Sequence, residues 1–150
     1  MLVLSAVAVT ALSAMQLQTT RNLSRHSVSQ AALLHRALDA YYFEECGFSS
    51  PQQPSLDVIE SDYLGRSFQW PAYVTSIDLA IPIWNAANSH GVVTFTYSEP
   101  AMAQRVSRLS GNATITSGNS VEFRKLFTSS ISASATKTQL HREIFNNSRC

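Results

Sequence analysis

Two cysteines, four histidines and a group of three closely spaced acids are the residues of this chain whose types could do chemistry. The histidines His26, His35, His90 and His141 are scattered. His26 and His35 are nine positions apart, not the four that set two imidazoles on one face of a helix to grip a metal. Asp57, Glu60 and Asp62 fall in one short stretch, with Asp57 and Glu60 a turn apart. Their oxygens are of the type that holds calcium, against the simpler reading of a solvated acidic face. His141 and Glu143 read in the same simple way. Serine is abundant, but there is no Gly-x-Ser-x-Gly elbow, no Gly-x-Gly-x-x-Gly and no phosphate loop. No catalytic residue, metal site or cofactor is therefore assigned, and an enzyme is the least supported class.

The cysteines remain. Neither Cys46 nor Cys150 has a second Cys or a His at zinc-ligand spacing. In an oxidising compartment they would close a loop of about 100 residues, which the chain-entropy model credits with about 4–5 kcal/mol. The bridge would pin the C-terminus to the base of the head. The other reading is two independent thiols.

The composition bears on partners. A net charge of +1 makes nucleic acid no obligatory ligand, and 14% charged residues in a chain rich in Ser, Thr, Asn and Gln is a balance of exported proteins. If Arg105, Arg108, Arg124 and Lys125 shared a face, they would make a modest basic patch for DNA or another anionic surface; a scattered, solvated distribution is the alternative.

The element that must position the rest is the N-terminal stretch. From Met1 to Glu45 there is neither Pro nor Gly, and the spacing predicts one unbroken helix of roughly 65 Å. Its first half, 1–20, carries no charge and is apolar on every face, so about 20 residues could span the hydrocarbon of a bilayer. Ala6, Thr10 and Ala14 recur four apart, a small-residue ridge for close helix packing. Its second half, 21–46, is amphipathic: Val28, Ala31, Leu34, Leu38 and Tyr41 make one stripe, while Arg25, Ser29 and Arg36 point elsewhere.

A small head over 47–150 follows. Gly47 and the Pro- and Ser-rich run after it end the helix. Ser55 reads as the N-cap of a short helix reaching Leu64, stopped by Gly65. Tyr73 to Ile83 and Val92 to Tyr97 read as an antiparallel hairpin, with Val93, Phe95 and Tyr97 on one face. A helix is expected from about Glu99 to Leu109, then a second hairpin, Asn112–Thr116 and Ser120–Leu126, around Ser117-Gly118-Asn119. The tail is a Ser- and Thr-rich loop or weak edge strand over Thr128–Thr138, with a last helical turn over Lys137–Phe145. The fold class is thus α+β, a long helix packed on a small antiparallel sheet.

The stretch LVLSAVAVTALSAMQLQTTRNLSRHSVSQAALLHRALDAY resembles the N-terminal helix of the type IV pilin family, which includes minor pilins and the pseudopilins of type II secretion. Met1-Leu2-Val3-Leu4 matches the apolar run that follows the family's conserved glutamate, and RVSRLSGNATITSGNSVEF resembles the sheet region of minor pilins. The cleavage glycine, the methylated first residue and the glutamate have no counterpart here, so the resemblance implies a segment upstream of Met1. It also implies a pilin-like fold and a structural role, probed below: single-pass insertion in the inner membrane of a Gram-negative-type bacterium, then assembly with other pilin subunits, by the pilus machinery, into an extracellular filament. Adhesion, motility, DNA uptake and secretion would be outcomes of the whole system. The cysteine spacing is atypical for a major subunit, which favours a minor one. Some pseudopilin heads bind calcium, the ligand for which Asp57, Glu60 and Asp62 would be the candidates. The competing reading is an exported binding domain held by an anchor or released from a signal peptide, with Val9-Thr10-Ala11 or Ala11-Leu12-Ser13 as the cleavage site. No basic segment precedes the apolar run, as a signal peptide would require.

Overall fold

The computed structural model describes residues 2–46, 48, 50–84, 86 and 88–127, and for 2–14 and 16 the backbone alone. The expected tail elements, Gly47 and Cys150 lie outside the described residues.

One helix, α1 (Leu2–Glu45), runs for 44 residues, as the absence of Pro and Gly predicts. It closes with the Cys46 N–H on the Tyr42 carbonyl. Pro51 and Pro54 bar any continuation. The next helix, α2 (Leu56–Ile59), begins where the sequence places it, with Ser55 Oγ accepting from the Val58 N–H. Its regular part is one turn; it then widens into a π-helical turn at Glu60–Leu64 and a 3₁₀ turn at Gly65–Ser67. Gly65 sits at φ 58° and ψ −156°, a backbone region essentially closed to residues with a Cβ.

Four strands form one antiparallel sheet in the order β1-β2-β4-β3, with β1 Val74–Ala80, β2 His90–Tyr97, β3 Ala113–Ser117 and β4 Ser120–Leu126. Both expected hairpins are present. The first strand stops earlier than its sequence pattern, at Ala80, because the side chain of Gln53 takes the next residue: its amide donates to the Ile81 carbonyl at 2.9 Å and its carbonyl accepts from the Ile81 N–H at 3.0 Å. Pro82 then has no N–H to offer a ladder. Between β2 and β3, helix α3 (Pro100–Leu109) starts on a proline and buries Met102, Ala103 and Val106. Leu109, which the spacing puts on the same stripe, is exposed.

The molecule is thus α+β in two layers. Helices α1 and α3 cover one face of the sheet, where Val93, Phe95, Tyr97, Val121 and Phe123 are buried. The other face is polar: Asp78, Thr94, Glu122 and Thr114 form one cross-strand row, and Ser76, Thr96 and Ser120 another. This is the one-sided burial that an antiparallel sheet tolerates.

Candidate functional site

On α1 the residues expected to meet the head lie as follows: Ala31, Leu34, Leu38 and Tyr41 are buried in the core, and Val28 is partly buried against it. Arg25, Ser29 and Arg36 are exposed. Ala6, Thr10 and Ala14 are on the helical backbone, with side chains outside the described residues.

The helix lies along the sheet in a definite direction. Ser27 faces Tyr97, His35 faces the Phe123 main chain, Leu38 presses on Gly91, and Asp39 meets Lys125, so α1 runs antiparallel to β2. A Cβ on Gly91 would come within 3.2 Å of Leu38 Cδ1 and 3.1 Å of Phe127 Cε1, which explains a glycine at the closest approach of helix to strand. At its C-terminal end α1 is gripped by aromatic rings. Tyr42 stacks on Phe127 with centroids 4.3 Å apart and on Trp84 at 5.4 Å, while Tyr41 meets Tyr63 edge-on at 5.7 Å. The Tyr63 hydroxyl donates to Glu44 at 2.5 Å, and burial together with that carboxylate holds the phenol well above its usual range. Cys46, fully buried beside this cluster, is disulfide-bonded. The one other cysteine of the sequence, Cys150, lies outside the described residues.

Among these apolar contacts runs a polar seam that the stripe of Leu and Ala does not announce: Ser24, Ser27, Gln30 and His35 are all buried. Ser24 and Ser27 return their hydroxyls to the carbonyls of Thr20 and Leu23, so their polarity is satisfied within the helix and they act as small spacers. Ser27 faces the buried Tyr97, whose phenol is pushed up to about 12 by burial, with the Ser27 hydroxyl opposing the rise. Gln30 fastens a distant segment: its carbonyl accepts from the Gln69 N–H at 3.0 Å and its amide nitrogen contacts His26 Nε2 at 3.2 Å. Gln30→Ala leaves the Gln69 N–H without that acceptor, and we expect a loss of about 1–3 kcal/mol in urea unfolding. A loss below about 0.5 kcal/mol would mean that water replaces the amide at no cost.

His35 is the most constrained member of the seam. It is 6% exposed and neither ring nitrogen has a partner. Burial first, and the charge of Lys125 second, lower its pKa to about 4, with the Phe123 main chain pulling the other way. One turn on, Asp39 Oδ2 pairs with Lys125 Nζ at 3.7 Å while Oδ1 is buried without a partner. Burial raises the Asp39 carboxyl, and Lys125 opposes the rise. Sequence reasoning passed over His35 and Gln30 because each is one polar residue within an apolar periodicity, and the partners that define them come from strands far along the chain.

Chemically, the seam holds a buried neutral imidazole and, at its edge, a partly buried carboxyl paired with a partly exposed ammonium. It can fasten the helix and respond to protons. The four basic residues weighed for DNA do not share a face: Arg124 pairs with Glu122, on the opposite side of β4 from Lys125, which is engaged with Asp39. Among the described residues no three His, Cys, Asp or Glu side chains converge as a metal site, Asp57, Glu60 and Asp62 included. Among the described residues no helix is long and apolar enough to cross a membrane, and the side chains of 2–14, which make up most of the apolar run, are not among them. No family model, curated protein or solved structure matches the chain.

Proposed function

We propose that this protein is a structural subunit of a type IV pilin-like filament, a minor pilin or a type II secretion pseudopilin, held in the inner membrane by its N-terminal helix before assembly. The observation that carries the reading is how α1 is used. Its first buried side chain among the described residues is Ser24, and before it Met15 is 70% exposed and Leu17 58%. We read the first 20 or so residues, roughly 30 Å of helix, as projecting from a head whose described burial is confined to the C-terminal half. A projecting apolar rod needs lipid or other helices around it. In the assembled state the Ala6, Thr10 and Ala14 ridge would give neighbouring rods close contact. The polar outer face of the sheet would be turned to the medium.

The test is an oxidative cross-link in native envelopes, with Ala6→Cys or Thr10→Cys introduced singly. Copies joined through these positions, in a membrane or filament fraction, are the expected result. An N-terminus located by mass between Thr10 and Met15 on a secreted monomer would overturn it, and would favour the released binding domain.

A further inference from the structure

The end of the head from which α1 departs carries two large aromatic side chains that are about half exposed, Trp70 and Tyr73. It is the Tyr97 end of the sheet, since Tyr97 faces Ser27 and the strands lead away from there toward Leu38 and Asp39. Gln30, by accepting from the Gln69 N–H, brings Trp70 to this level of α1. Trp70 is 48% exposed, yet its indole N–H is committed to the Val74 carbonyl at 2.8 Å, so the ring is held in place and its polar edge is already satisfied. Tyr73 is 46% exposed at φ 67°, a left-handed conformation that is strained for a bulky residue. Its carbonyl is pinned by the Ser98 N–H at 2.8 Å. Two anchored aromatic side chains, one on strained backbone, are thus presented to solvent beside the emerging helix.

The charges there have one dominant sign. Arg21 and Arg25 are exposed on the adjoining turns of α1, and from Met1 to Leu38 the sequence holds three arginines and no acid. Among the described residues Glu99, ahead of α3 and next to the Ser98 that bonds Tyr73, is an acid at this end of the head. The cluster Asp57, Glu60 and Asp62 lies in α2 and its π-helical turn, which Tyr63 ties to Glu44 near the far end of α1.

We propose that this end of the head seats on a phospholipid bilayer surface, with Trp70 and Tyr73 in the headgroup layer and Arg21 and Arg25 reaching lipid phosphates. The inference rests on the membrane-held stage of the proposed function and specifies how the head is oriented there. Rings with an apolar body and a satisfied or wet polar edge concentrate at that depth, and arginine stems extend to it. Ser27 is about 10 Å along the helix from residue 20, which places Tyr73 within side-chain reach of the outer headgroup layer when 1–20 spans the hydrocarbon. A second copy docked face to face would set Arg21 and Arg25 against their own like charges, whereas lipid phosphates complement them.

The test uses the full chain with Trp84→Phe, which keeps a ring on Tyr42 and leaves Trp70 as the sole tryptophan. It is reconstituted into vesicles of three parts phosphatidylcholine to one part phosphatidylglycerol, and flotation reports separately on membrane insertion. In the floated protein, Trp70 fluorescence should be quenched at least about twofold more by a headgroup spin label than by a mid-chain label. Arg21→Gln with Arg25→Gln should reduce that quenching. Floated protein whose Trp70 is open to aqueous acrylamide and indifferent to both lipid labels would overturn the seating while leaving the membrane stage intact. Protection that grows with protein-to-lipid ratio, without lipid quenching, would assign the surface to a second copy and overturn it too. A chain that fails to float sinks the membrane stage and the seating together.

Discussion

Cys46→Val is expected to lower the unfolding free energy of the head by up to about 4–5 kcal/mol. Cys46 is fully buried and disulfide-bonded at the point where α1 ends and the Tyr42, Trp84 and Phe127 rings stack. The pairing with Cys150 expected from the sequence would close a loop of about 100 residues, so that most of its effect would lie in the entropy it removes from the unfolded chain. Valine keeps an apolar side chain at this fully buried position, which limits packing loss as a separate cause. Urea unfolding of the variant, beside wild type with and without reductant, makes the check. Reduced wild type and the variant should coincide. If neither loses more than about 1 kcal/mol, the entropic account of this bond fails.

Acid should weaken the fold through His35, and the direction follows from its environment. The folded-state pKa is lowered from 6.5 to about 4, so as pH falls the unfolded chain takes up the proton first. The contribution is fully present above 6.5, declines between 6.5 and about 4, and is then spent. At 1.36 kcal/mol per pH unit the decline amounts to about 3 kcal/mol. Asp39 works the other way above its ordinary 3.8, because a carboxyl raised by burial makes the folded state bind its proton more readily than the unfolded chain does. His35→Leu removes the two unpartnered nitrogens and should flatten the profile from 6.5 downward while costing little at neutral pH. Midpoints of thermal unfolding across that range decide the matter: a variant retaining the wild-type slope would place the acid sensitivity elsewhere.

Much of the architecture is legible in local pattern. The absence of Pro and Gly through α1, the Ser55 cap with Gly65 beyond it, the run of β-branched and aromatic residues in β2, and the turn around Gly118 each act within a few residues of themselves. Short-range steric and hydrogen-bonding rules therefore determine them, and the same periodicity marks Ala31, Leu34, Leu38 and Tyr41 as the buried face. The apolar character of 1–20 is likewise a property of the sequence alone.

What the tertiary structure decided is which polar groups meet. Nothing local says that Gln53 will cap the end of β1 from 28 residues away, that Gln30 will hold the Gln69 N–H, or that Lys125 will turn to Asp39 while its neighbour Arg124 turns to Glu122. His35 reads in the sequence as one of four scattered histidines, and Ser24 and Ser27 as breaks in a stripe. Their burial exists only once β2 and β4 are paired and laid along α1. The sequence by itself determined the rod, the strands and the face they bury, because those depend on neighbours along the chain. The seam and the strand order 1-2-4-3 depend on neighbours through space, and only closure of the sheet against the helix chooses them.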